Sequence, residues 1–366
     1  MMSFDEFKDS VVENIKEYLP EKYENADVVL STITKNNDTQ FTSISISSED
    51  SKTFPNVYLD EFYEAYEHGV DFDDIVRKLA DVYSRNDNIE FDANDLMDYE
   101  SIKDKITCKL ISAENNSEYL SNKPHTNIED LAVAYSIVLG TEDNAVCSVM
   151  IDNKMLDNYG ISVEELHNVA ISNLSDQDYS FKTMMETIME SMFPAGFPVN
   201  DPLLSAMLPS EADFPNMYVL TNGTGVHGAS EILNPKIMDE ISDKLGGDFV
   251  VLPSSVHETM ILPMSEVSDR ETLENIVQEA NVGCVKPSDR LSDHVYQYDS
   301  KNHELVRMDK MEEREQSKET VKETKSQDRS EEKSSLMDRI SKKQNEINSR
   351  DSANSHIQHS HDEIGR

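Results

Sequence analysis

Apolar residues recur at helical spacing from the first turn of the chain. Phe4, Phe7, Val11, Ile15, Tyr18 and Leu19 follow Ser3, which pairs with Glu6 in a capping-box pattern. This predicts an amphipathic first helix. The runs ADVVLSTIT and QFTSISIS carry period-two stretches around KNNDT, the pattern of a β-hairpin. VYLDEFYEAYEHG then reads as a helix stopped at Gly69, with Asp71 placed to cap a second helix, FDDIVRKLADVYS. Tyr58, Phe62, Tyr66 and Phe72 are expected in the core and not around a cofactor.

A helix near DANDLMDYESIKDKI leads into three β-type runs, ITCKLIS, DLAVAYSIVL and AVCSVMI, with Gly140 and residues 141–144 turning the chain between the last two. Two short helices follow, NKMLDNYG and SVEELHNVAISNLS. Strands followed by helices are not a βαβ alternation, so the expected class is α+β, with mainly antiparallel sheet layers and flanking helices. Residues 180–216 differ in kind. Met and Phe concentrate there, and prolines at 194, 198, 202, 209 and 215 break the stretch, which reads as a linker or insertion or, in its sharper form, an adaptable Met-rich surface. From Met217 the pattern predicts a strand MYVLTN, a helix from Gly228 to Leu245, strands DFVVLPSS and HETMILP, a helix SDRETLENIVQEA, and a closing hairpin of HVYQYD and HELVRM. The expected organisation is an N-terminal α+β region over 1–179, the Met/Pro-rich segment 180–216, a C-terminal α+β region over 217–309, and a disordered tail over 310–366. Within that tail Leu336, Met337, Ile340 and Ile347 share one face of a short helix at 335–348.

Composition narrows the function. With 366 residues, 37% of them hydrophobic, the chain has enough apolar side chains for a real core. The formal net charge is -39, from 33 Lys+Arg against 72 Asp+Glu. Residues 310–366 hold 12 basic and 13 acidic side chains, which leaves 21 and 59 in residues 1–309, a net of -38 there. Such acidity repels phosphate backbones and anionic lipid, so neither direct nucleic-acid binding nor membrane association is expected. Cys108, Cys147 and Cys284 are an odd number, far apart and without a CxxC, which suggests neither a disulfide framework nor zinc. The acidic start is unlike a signal peptide, and no apolar window reaches the ~18 residues of a membrane span. The expected compartment is a reducing cytoplasm.

Two turns carry the candidate chemistry. Asn222-Gly223-Thr224-Gly225-Val226-His227-Gly228 contains GxGxxG between a strand and a helix, the context in which backbone N–H groups cradle a pyrophosphate. A dinucleotide site also needs an acidic residue at the end of the next strand, and that strand ends in Leu252, Pro253 and Ser254. The second turn, Pro253-Ser254-Ser255-Val256-His257-Glu258, groups hydroxyls, an imidazole and a carboxylate, although neither GxSxG nor HExxH is present. If the strands before these turns are adjacent and parallel, both turns share one sheet edge, with His257 as a base and the helix start holding an anion. The candidate ligand site is therefore Asn222, Gly225, Gly228, Ser254, Ser255, His257 and Glu258. No catalytic assignment, cofactor or metal ligand set is complete. His356, His359 and His361 are at most an opportunistic cluster, and the acidic groups at 71–74 and 92–95 lack EF-hand spacing.

The ordered runs YLDEFYEAYEHGVDFDDIVRKLADVY, IKDKITCKLISAENNSEYL, PHTNIEDLAVAYSIVL, MLDNYGISVEELHNVAISN and MYVLTNGTGVHGASEILNPKIMDEISDKLGGDFVVLPSSVHETMILP resemble the domain of unknown function 5688 family of clostridial-type gut bacteria, over about Phe4 to Met308. Residues 217–263 are also distantly similar to the domain of unknown function 1444 family. The resemblance implies a place on integrative and conjugative elements and brings no catalytic residue with it. The leading expectation is a cytoplasmic, non-enzymatic accessory protein that binds a protein partner through its acidic body. The alternatives are a nucleic-acid mimic of the anti-restriction type, and an enzyme or small-ligand protein with its site between the two turns.

Overall fold

A computed structural model of the chain describes residues 1–47, 56–86, 95–142, 145–193, 216–317 and Lys343. Residues Met1–Met308 form one compact unit and Asp309–Arg366 a second. The class is α+β, with antiparallel sheets and flanking helices.

The first helix, α1 (Phe4–Asn14), starts on a complete capping box. Ser3 accepts from the Glu6 N–H, and the Glu6 carboxylate accepts from the Ser3 N–H. Strands β1 (Asp27–Thr34) and β2 (Gln40–Ser47) form the hairpin, and a short β3 (Val57–Tyr58) extends that sheet. Helices α2 (Leu59–Glu67) and α3 (Phe72–Asn86) follow, separated by Gly69 at φ +93 and by an Asp71 carboxylate that accepts from the Asp73 N–H. Phe7, Val11, Ile44, Ile46, Leu59 and Leu79 close a separate N-terminal core of which Tyr23 and Tyr83 are also part.

The helix expected near residues 92–106 is instead, among its described residues, three short pieces, among them α4 (Tyr99–Ile102). Five of the residues from 92 to 106 are acidic, which leaves too short an apolar stripe to hold one long helix. The second sheet contains β4 (Ile106–Ser112), β5 (His125–Ile128), β6 (Leu131–Glu142) and β7 (Ala145–Met150), with α5 (Ser117–Leu120) between β4 and β5. β6 pairs with β4 along one side and with β5 and β7 along the other, so β4 is an edge strand. Helices α6 (Asn153–Tyr159) and α7 (Val163–Leu174) begin on the Asp152 and Ser162 side chains.

The third sheet has six strands in the order β13-β12-β10-β11-β9-β8, all antiparallel: β8 (Tyr179–Thr183), β9 (Tyr218–Asn222), β10 (Phe249–Leu252), β11 (Thr259–Pro263), β12 (Tyr296–Asp299) and β13 (Glu304–Arg307). Two expectations change here. Residues 180–183 are not linker but part of β8, whose alternating side chains pair with β9, and Met184–Met192 form helix α8 on a Thr183–Glu186 capping box. The remainder of the Met/Pro-rich stretch, 194–215, lies outside the described residues. The helix expected from Gly228 to Leu245 divides into a 3-10 turn, Gly228–Leu233, and helix α9 (Pro235–Leu245). Pro235 holds Asn234 extended, and the Asn234 side chain then caps the new helix. Helix α10 (Arg270–Gly283) starts on Asp269.

The core does not divide at 180–216. Ile106, Leu110, Tyr135, Leu220, Phe249 and Tyr296 belong to one cluster, which joins the second and third sheets. In the second unit residues 309–317 are helical rather than disordered, and the expected helix at 335–348 falls outside the described residues except for Lys343.

A polar clasp ties the β1–β2 turn to the rest of the first unit. The fully buried Asn116 donates to the Asn36 side chain at 3.0 Å and accepts from the Asn37 N–H at 2.8 Å, while Asn36 and Asn37 donate to the carbonyls of Ser288, Pro287 and Arg290 at 2.6, 2.7 and 2.8 Å. Truncating a buried amide strands every partner at once. The Asn116→Ala variant should therefore lose roughly 2–3 kcal/mol of stability in urea unfolding with an unchanged m-value; a loss near zero would show that the clasp is not needed.

Candidate functional site

β11 lies between β9 and β10 and runs antiparallel to both, so β9 and β10 are parallel to one another but not adjacent. The condition of adjacent parallel strands is thus not met. The turns after β9 and β10 nevertheless emerge at the same sheet edge, because two antiparallel steps restore the direction. They touch directly. The Thr221 hydroxyl donates to the His257 carbonyl at 2.8 Å, and the Ala229 N–H to the Val256 carbonyl at 3.2 Å. A Cβ on Gly228 would lie 2.1 Å from Thr221 Oγ1 and 2.5 Å from the His257 carbonyl oxygen, so only glycine permits this approach.

That geometry decides against a pyrophosphate cradle. The N–H groups of Gly223, Thr224, Gly225, Val226 and His227 are all spent, on Asp178, Asn222, Asn222 again, Thr224 and His257. Asn222 organises the turn by donating to the Val226 carbonyl at 2.8 Å and accepting from Thr224. Gly225 supplies a left-handed residue at φ +69.

The second turn is held by residues 287–292. The Val256 N–H donates to the Asp289 carbonyl, Leu291 N–H to the Ser254 carbonyl, and Ser255 bridges Arg290. Ser254 and Ser255 are buried, and Ser255 Oγ accepts from the His257 N–H at 3.0 Å, so both serines are framework rather than nucleophiles. Glu258 is exposed on the outside of the turn.

Of the seven predicted residues, His257 stands among groups that can do chemistry. Its ring stacks on His227 with centroids 5.6 Å apart and planes at 15°. Its Nε2 is 3.7 Å from Asp289 Oδ1, a charge contact longer than a hydrogen bond. The Asp289 carboxylate raises the His257 pKa against the opposing effect of burial, and the Gly225 carbonyl also favours the charged ring. Asp289 is in turn held low, first by His257. The His227 N–H donates to His257 Nδ1 at 3.3 Å. With Nδ1 accepting from the backbone, Nε2 is the nitrogen that carries the proton beside Asp289.

His227 is a different kind of imidazole. It sits at φ +55, its Nδ1 is buried without a partner, and burial with the charges of Lys109, His257 and Lys35 lowers its pKa to about 3. It is neutral at every physiological pH. Lys109 projects from the edge strand β4, is 9% exposed, and donates to the Tyr119 hydroxyl at 2.8 Å. Burial, with Lys35 and Lys123 nearby, lowers it to about 7. Four residues beyond His227, the 3-10 turn packs against β4 and β9 and carries Glu231, fully buried with both carboxylate oxygens unpartnered. Burial raises Glu231 to about 7 and, assisted by Glu231, raises the adjacent Cys108 to about 12.

His227, Glu231, Asp289, Lys35, Lys109 and Lys123 were not among the residues singled out in the sequence. A lone lysine in the otherwise apolar run ITCKLIS is a legible sign of a charge in a strand buried on both faces, and His227 lies inside the glycine run itself. Asp289 and Lys35 carry no such sign, since only the fold brings them in. Among the described residues no group of three or more His, Cys, Asp or Glu could hold a metal ion.

Glu231 provides a pH test. Its folded pKa exceeds the unfolded one, so the folded state binds more protons between about pH 4.5 and 7 and stability falls as pH rises through that window. His227, depressed to about 3, works in the opposite sense and loses stability as pH falls below about 6.5. Glu231→Gln should match the parent near pH 5 and exceed it near pH 8 by about 1–3 kcal/mol in urea midpoints. Equal stability at both pH values would mean that the carboxyl is solvated.

No curated protein and no solved structure matches the chain. A family model does, across residues 4–300, and it spans every residue of the site just described. The chain belongs to the Family of unknown function (DUF5688).

Proposed function

We propose that the protein binds a small polar molecule at the paired turns and exchanges a proton with it at His257 Nε2. The observation that carries this reading is the His227–His257 stack, two parallel imidazoles whose pKa values are driven in opposite directions by their surroundings. Separated pKa values in neighbouring groups are the mark of acid–base sites. In this reading Asp289 orients His257 and stabilises its charged form, while His227 remains a neutral hydrogen-bonding group at the ligand. His227, His257 and Asp289 are half-buried, and Lys109 and Tyr119 are buried. The cytoplasm is the compartment that fits, with Cys108, Cys147 and Cys284 all free; among the described residues no helix is long and apolar enough to cross a membrane.

The net of -38 in residues 1–309 favours a second reading, in which the acidic body docks a basic protein partner as an accessory of a mobile element. A low-salt pulldown that recovers no basic partner ends that reading and leaves the first untouched.

The test of the first is a histidine NMR titration together with native mass spectrometry. His257 should titrate above its ordinary value and fall in Asp289→Asn, because the largest contribution favouring its charged form is then removed while burial still opposes it. A small molecule retained by the parent should be lost in His257→Gln. An unshifted His257 that ignores the Asp289 substitution would overturn the proposal.

A further inference from the structure

Lys35, Lys109 and Lys123 gather around two tyrosine rings. Lys35 Nζ lies 4.2 Å from the Tyr58 ring centroid, and Lys109 and Lys123 Nζ lie 4.6 and 3.9 Å from that of Tyr119. All three are close enough for Lys35 and Lys123 to disfavour the charge on Lys109. Lys123 also donates to the Tyr119 carbonyl at 2.7 Å and to Asn122 Oδ1 at 3.2 Å, and it feels the more distant Asp152, whose carboxylate is occupied in capping α6. None of the three lysines makes an ion pair within 4.0 Å with a carboxylate of the described residues, in a chain where acidic residues outnumber basic ones 72 to 33.

An acidic protein has carboxylates to spare, so gathering three lysines without one is a cost that folding alone does not explain. The cluster adjoins the histidine pair: Lys35 precedes the Asn36 that bonds Ser288 next to Asp289, and β4, which carries Lys109, packs against the 3-10 turn that begins after His227. The tyrosine faces hold the ammonium groups in place without neutralising them.

We infer that the ligand of the paired-turn site carries a phosphate or carboxylate group, and that this group is held by Lys35, Lys109 and Lys123 over the rings of Tyr58 and Tyr119. The inference rests on the reading of that site as a ligand site and adds the chemical class. Lys109 supplies the buried contact, Lys35 and Lys123 the half-buried rim, and the neutral His227 separates the anion from the proton-exchanging His257. Phosphate and carboxylate share this chemistry, and the two probes below tell them apart.

The test is isothermal titration calorimetry of the full chain with inorganic phosphate and with succinate, at constant ionic strength set by chloride. One of the two should bind at least tenfold more tightly than the other and produce a rise in melting temperature. Lys35→Gln and Lys123→Gln, both at half-buried positions, should each weaken that binding about tenfold, roughly the loss of one charge-assisted contact. Lys8→Gln on α1 should leave it unchanged, and circular dichroism should show all three variants folded. Heats no larger than those of chloride for both probes, or binding that survives the Lys35→Gln/Lys123→Gln double substitution, would overturn the inference. The outcomes separate from those of the acid–base reading: a retained neutral molecule lost in His257→Gln would refute the anion and preserve the site, whereas anion binding with an unshifted His257 would do the reverse.

Discussion

The fold and its candidate site depend on one close approach, that of the turn after β9 to the turn before β11 at Gly228. There the Thr221 hydroxyl and the His257 carbonyl occupy the volume in which any side chain on residue 228 would sit. The contact fixes where His257 stands, and the His227 N–H then bonds the ring whose chemistry is at issue. Residues 287–292 complete the arrangement by bonding to the second turn on one side and to the asparagine clasp of the β1–β2 turn on the other. Lys35 precedes that clasp directly, so the same hydrogen bonds that close the first unit bring a distant lysine to the histidines. Shape here comes from backbone contacts, and chemistry is placed as their consequence.

Several of the groups so placed oppose folding. A neutralised histidine, a lysine lowered to about 7 and a carboxyl raised to about 7 each lose more solvation than their partners return. The surrounding apolar core, which runs continuously through the second and third sheets, is what tolerates them. Such costs concentrated in one corner of a molecule are expected where side chains serve something other than stability.

The α+β class was readable because its evidence is local: the capping pair at Ser3, period-two runs for β1 and β2, and glycines at helix ends. The short strands β3, β5 and β8 were not, since two to five residues hold too few alternations and their strand character comes from pairing. The break at Asn234-Pro235 was present in the letters and overridden by the apolar stripe on either side of it. For the site, the two turns were identified from their glycines, serines and His257, yet most of the polar residues named there turned out to be framework. The groups that face one another come from β4, from the β1–β2 turn and from residue 289, and no spacing rule connects positions 35, 109, 227 and 289. Sequence reasoning named the two turns and not the residues that the fold brings beside them.

The overall acidity and a basic corner are compatible because they act over different distances. At physiological ionic strength charges screen one another beyond about 8 Å, so an approaching small anion meets the repulsion of the acidic body only weakly and the lysines at close range fully. A polyanion such as a duplex spans many screening lengths and feels the whole surface at once. Net charge therefore selects by the size of the anion. On the inference that the three lysines on tyrosine faces hold an anion, the same net charge would disfavour a polyanion at that corner far more than a small one. For a small-anion site, the acidic composition would act as a filter in front of the lysines.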